Sequence, residues 1–238
     1  MSVDGTPHET TASAEDVREL LGLLAYTQLT ASLRYAHDAG ATDVLSRRLA
    51  FAELAAQEHG RLTVLREHID QTGGDSLNLL RRYHGVFDEY ESRTHADSWH
   101  ERILKGYIGH SVALDFCRIA VSTAPGVTRE LVTTLLVDDR AQDLARDVLE
   151  AKITDDHTFA SRLALWGRRV VGEALGQVQQ VVSREPALAR LLSGGAAGSG
   201  FTPDSTAPTD EDKQLMAWLY AQLTAEHSRR MDRLGLAA

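Results

Sequence analysis

The chain has 238 residues, of which 43% are apolar, with a formal net charge of −9 and one cysteine, Cys117. That length makes one large domain or two small ones, and that apolar share can fill a core. The lone thiol excludes an internal disulfide, the acid surplus opposes the basic face that nucleic acid requires, and no apolar run approaches the ~18 residues of a membrane span.

Residues 1–13 are polar and Thr-rich without a period, so they read as disordered. The opening "MSVDGTPHET" lacks a basic-then-apolar signal pattern, and a cytoplasmic protein is expected. From Ala14 the helical period takes over. A first helix is predicted over 14–39, with "SAED" as its capping start. "AGATD" makes a short turn, and Asp43 or Thr42 is placed to cap a second helix over 43–70, which stops at "TGGD". A crossover of about 25 residues follows, with one short helix near 76–92. A third long helix covers 97–121 and ends at "TAPG"; a fourth covers 127–152; "TDDH" caps a fifth over 157–184. The small and polar stretch 193–210 reads as a flexible linker, either a tether or a lid, between a bundle over 14–192 and a C-terminal helix over 211–238. That last helix packs on the bundle or on a partner subunit. The fold class is all-α: a four-helix bundle with a long crossover between helices two and three, plus two C-terminal helices.

Each of the four bundle helices has an apolar seam, followed in steps of three and four. Each seam meets a polar residue near mid-helix: Gln28, Glu58, His110 and Asp138. Gln28 and Glu58 are 30 residues apart across one turn, and His110 and Asp138 are 28 apart across the other. In antiparallel pairs each then lies roughly 21–22 Å from its turn, at 1.5 Å per residue. The two pairs should meet at one level. Burying such groups unpaired costs several kcal/mol, so four together point to a site.

The stretches "LLAYTQLTASLRYA", "KGYIGHSVALDF" and "LALWGRRVVGEAL", with "HSRRMDRLGL" in the tail, resemble the ferritin-like superfamily, and within it actinobacterial ferritin-like proteins related to the di-iron tRNA hydroxylases. The resemblance covers about residues 15–185. It implies a bundle in which a carboxylate, Glu-x-x-His, a second carboxylate and carboxylate-x-x-His hold two metal ions that activate dioxygen. Carboxylate and imidazole three residues apart share one helix face. Here the positions persist and most ligands do not. The first carboxylate position is Gln28; Glu58 remains but its histidine position is Arg61; the next carboxylate position is His110; Asp138 remains but its histidine position is Ala141. Asp115 and Asp139 are off the seams by about 100° of helix rotation.

A guanidinium cannot deprotonate in a protein and cannot ligate a metal, but it pairs with carboxylates in a fork. Arg61 is therefore expected to take the place of one ion and neutralise Glu58 and Asp138. The leading expectation is an enzyme of this fold repurposed for a small molecule, without a di-iron centre and with no cofactor. Glu58, Arg61, His110 and Asp138 would be its catalytic groups, and Gln28, Tyr35, Tyr107 and Gln142 would line its substrate pocket. The alternatives are an oxygenase with a single iron or other divalent ion on Glu58, His110 and Asp138, and a non-catalytic scaffold holding an ion-pair network. A homodimer fits any of them. Nucleic acid is not an expected partner on this charge.

Overall fold

The computed structural model describes residues 12–137, 140–203 and 210–238. Its helices are α1 (Ala14–Gly40), α2 (Leu45–Gln71), α3 (Ser76–Tyr83), α4 (Asp88–Arg93), α5 (Trp99–Ala120), α6 (Gly126–Leu136), α7 (Arg140–Asp155), α8 (His157–Arg184), α9 (Pro186–Gly198) and α10 (Glu211–Arg233). A 3-10 turn, Val121–Thr123, follows α5, and the described residues contain no strand. None of these helices is long and apolar enough to cross a membrane.

Local chemistry sets the helix starts. Ser13 Oγ accepts from the Asp16 amide at 3.1 Å, and Asp156 Oδ1 accepts from the Phe159 amide at 2.9 Å. Ser98 and Glu101 make a reciprocal capping box at the head of α5. The start of α2 differs from expectation. Its N-cap is Val44, with no side-chain cap; Thr42 Oγ1 accepts from the Val44 amide at 3.3 Å just outside the helix.

α1 is the central helix, buried on nearly every side of its first half because it touches α2, α3, α5 and α9. A helix so enclosed needs apolar residues all round rather than one stripe. Ser32 Oγ donates to the Ala55 carbonyl at 2.8 Å and fixes the register of α1 against α2. About one turn from that bond along each antiparallel helix lie Gln28 and Glu58, at one level, as their spacing predicts. α7 touches both α2 and α5, and α5 touches α1, so four helices close a ring.

The crossover holds two short helices, α3 and α4, rather than one. Between them the chain turns at Gly85, in the left-handed region with φ 78°. The Gly85 amide donates to Tyr26 Oη at 3.0 Å. Arg82 then ties the crossover down, reaching Glu19 of α1 at 2.7 Å and Glu185 beyond α8 at 2.6 Å.

Two expectations require correction. The fourth helix is not continuous over 127–152: α6 ends at Leu136 and α7 begins at Arg140. Acidic side chains at a helix C-terminus oppose its dipole, whereas ahead of a new helix they suit it, so "VDDR" favours a break. Arg118 of α5 stabilises the end of α6 by donating to the Leu136 carbonyl at 2.9 Å. The second correction is at 193–210. The chain is helical to Gly198, with Leu191, Leu192, Gly195 and Ala196 buried. A Cβ on Gly195 would fall on the Ile119 carbonyl, so its smallness serves close packing rather than flexibility. Residues 204–209 of the expected linker lie outside the described residues.

α8 is the main partner of α5, and α10 lies against α8 and α5. α10 buries Leu215, Leu219, Leu223 and Met231, and with them His227 and Arg230. His227 is 2% exposed, and neither ring nitrogen has a hydrogen-bond partner among the described residues. Burial, with Arg230 nearby, lowers its pKa to about 4. The folded state thus binds fewer protons than the unfolded state between pH 6.5 and 4, so acid destabilises the fold across that window. Wild type should lose about 1–3 kcal/mol more than His227→Leu between pH 7 and 4.5. Denaturation midpoints at the two pH values check this, and equal losses in both proteins would refute it.

Candidate functional site

The seams converge. A cavity of about 20 Å³ in the bundle is walled by Tyr35, Glu58, Arg61, Tyr107, His110 and Gln142, with Ala141 beside them. Arg61 points inward: its Nη1 donates to Glu58 Oε1 at 2.7 Å, with side-chain exposures of 12% and 1%. Three residues apart on one helix, the two groups face the same way. Gln28 is fully buried near this level but is not on the cavity wall, and neither its amide oxygen nor its amide nitrogen has a hydrogen-bond partner among the described residues. Asp138 and Asp139 lie outside the described residues. His59, next to Glu58, is exposed.

α10 props the same wall from behind. Tyr107 Oη donates to the Arg230 carbonyl at 3.4 Å, and Arg233 Nη2 donates to Gln142 Oε1 at 3.3 Å. Asp115 is buried and pairs with Arg118 at 2.6 Å and with Arg230. Tyr35 stacks on Phe51 with ring centroids 6.3 Å apart. A space of 20 Å³ holds one water and no substrate.

The space for a molecule lies on the other side of α5. A cavity of about 510 Å³ opens between α1, the α3–α4 region, α5 and α8. That volume is in the range of small-molecule sites. Tyr26, Tyr90, Val112 and Val178 form apolar walls, and exposed Leu33 and His95 stand at the mouth. The floor is α5, where "KGYIGH" places Gly106 and Gly109 on one face. A Cβ on Gly106 would come within 2.7 Å of Arg34 Nε, and one on Gly109 would collide with Tyr90 Oη. The two glycines let an arginine and a phenol lie flat on the helix backbone.

His110 and Gly106 belong to the walls of both cavities. Burial, then Arg34, Arg61 and Arg118, hold the His110 pKa well below its ordinary value, so the imidazole is neutral at pH 7. A neutral imidazole accepts or relays a proton. Among the described residues no group of three or more His, Cys, Asp and Glu is arranged to hold a metal ion.

Sequence reasoning missed Arg34, Lys105 and Tyr90. Arg34 is one residue from the seam tyrosine Tyr35, hence about 100° round the helix on a different face. The available signal was the pair of glycines three apart in the third helix, which marks close approach by something bulky.

No curated protein matches the chain. A family model described as "Ferritin-like domain, actinomycetes" matches residues 12–195, the stretch from the start of α1 into α9 that holds both cavities, and the chain belongs to that family.

Proposed function

We propose that this chain is an enzyme of the ferritin-like fold that acts on a small molecule in the large cavity, with His110 as its acid–base group and without a di-iron centre. The observation that carries the reading is the position of His110. Its imidazole is neutral and stands between a cavity of about 510 Å³ and the buried Glu58–Arg61 pair. A base needs room for a substrate within its reach, which the cavity supplies, and it must be unprotonated before it accepts a proton, which burial and the arginines ensure.

The residues at the fold's metal positions do not fit two ions. Glu58 Oε1 is taken by Arg61, which cannot be a ligand, and the first position is the neutral amide of Gln28. A fixed cation beside Glu58 keeps the buried charge balanced where an ion would otherwise do so. In this reading the relation to the tRNA hydroxylases is one of fold, and a net charge of −9 opposes a tRNA substrate. Glu58 and Arg61 orient and polarise the surroundings of His110, while His110 moves the proton.

Three outcomes are expected. Elemental analysis of protein purified without chelators should find well under one iron per chain; two per chain would overturn the reading. Incubation with a metabolite extract, followed by mass spectrometry, should show a small molecule consumed by wild type and untouched by His110→Gln, with both proteins melting within a few degrees of each other. Equal turnover by both would remove His110 from the chemistry, and no turnover by either would favour a scaffold. Arg61→Met should lose about 3–5 kcal/mol at pH 8, because Glu58 is left buried without its cation. The Glu58 pKa should then rise, so the folded state binds more protons and stability should partly return as pH falls toward 5. Unfolding like wild type from pH 5 to 8 would show that the pair is unimportant.

A further inference from the structure

We propose that the large cavity selects a molecule with one carboxylate and an apolar body, and that Arg34 is the residue that binds the carboxylate. The proposal rests on the reading above that this cavity is the substrate site. Three cations stand on its wall. Lys105 Nζ is held by Glu91 at 2.6 Å, and Arg102 Nε by Asp38 at 2.6 Å. Arg34 has no ion pair among the described residues, and its Nη2 is buried without a hydrogen-bond partner. Its guanidinium stacks on the Tyr35 ring with Cζ 4.6 Å from the centroid, and rests on Gly106. A guanidinium held flat between a ring and a backbone is fixed in one orientation, so a carboxylate in the cavity meets a positioned cation rather than a mobile one.

Charge count sets the valence. With Lys105 and Arg102 already paired, one half-buried cation is left over, which one negative charge satisfies; a dianion would leave a charge unmatched against a largely apolar wall. Asp88, the other carboxylate on the wall, is exposed at the mouth, where solvent screens it. The remaining wall mixes a few polar groups, such as Thr27, Thr30 and Gln177, with Tyr26, Phe87, Val112 and Val178, which suit a ring or a chain. Tyr26 and Phe87 stack with centroids 5.8 Å apart, making one flat apolar side of the cavity.

The test uses four probes with a ten-carbon chain on the full protein by isothermal titration: decanoate, decyl phosphate, decanol and decyltrimethylammonium. Wild type should bind decanoate at least ten-fold more tightly than each of the others. Arg34→Met should bind decanoate and decanol within about three-fold of each other, and its retained decanol binding shows that the cavity is still folded. Gly106→Ala provides an independent variant, since the added methyl displaces the guanidinium without removing it; it should lose most of the decanoate preference. Equal binding of decanoate and decanol by wild type would overturn the proposal, as would tighter binding of decyl phosphate or full preference in either variant. These titrations read binding alone, so they are separate from turnover. A neutral substrate consumed in a His110-dependent way would leave the enzymatic reading standing and this one refuted. Decanoate selectivity without any turnover would do the reverse.

Discussion

Glu58 is 1% exposed in the middle of a helical bundle, and a carboxylate there must meet positive charge or give up its own. Arg61 meets it at 2.7 Å from one turn along the same helix. Much of the surrounding arrangement follows from that pairing. The guanidinium fills the volume and supplies the charge at this level, so the cavity around it shrinks to a single water's space and the bundle closes at its centre. Because the partner comes from the same helix, the pair needs no other element to be in place before it forms.

The second consequence is electrostatic. Arg34, Arg61 and Arg118 approach His110 from α1, α2 and its own helix, and burial acts in the same direction. Three fixed positive charges make a second proton on the imidazole costly, so a histidine that would titrate near neutrality in water stays neutral in this core. The carboxylates nearby are spent on other cations. Asp115 pairs with Arg118 and Arg230, and Asp38 pairs with Arg102. α10 takes part in this allocation through Arg230, although it is last in the chain.

Helix period and some capping residues were legible from the residues alone, since Ser13 and Asp156 each begin a helix through a side-chain bond that the sequence displays, whereas the Ser98 cap emerged only in the structure. Glu58 and His110 share one small cavity, as equal distances from a turn in antiparallel helices suggest, but Gln28, placed at that level by the same spacing, is off its wall, and Asp138 lies outside the described residues. The break at 137 was not legible, because period alone cannot see that Arg118, on another helix, holds the carbonyl of Leu136, eighteen residues further on. Composition misled at 193–198, where Gly195 packs on the Ile119 carbonyl. The larger cavity was invisible to a seam analysis because its defining residues sit one helical step off the seam, and because its floor is marked by side chains that are missing.

That floor has an evolutionary meaning. The shape of the cavity is set by two hydrogen atoms on α5, at Gly106 and Gly109, against which Arg34 and Tyr90 lie. One nucleotide change from glycine to alanine at either codon would evict a bulky neighbour and redraw the space. A member of this family with a side chain at the position of Gly106 must carry its arginine elsewhere, and so must offer a different interior. The residue at this one position therefore divides relatives into those that inherit this interior and those that share only the scaffold.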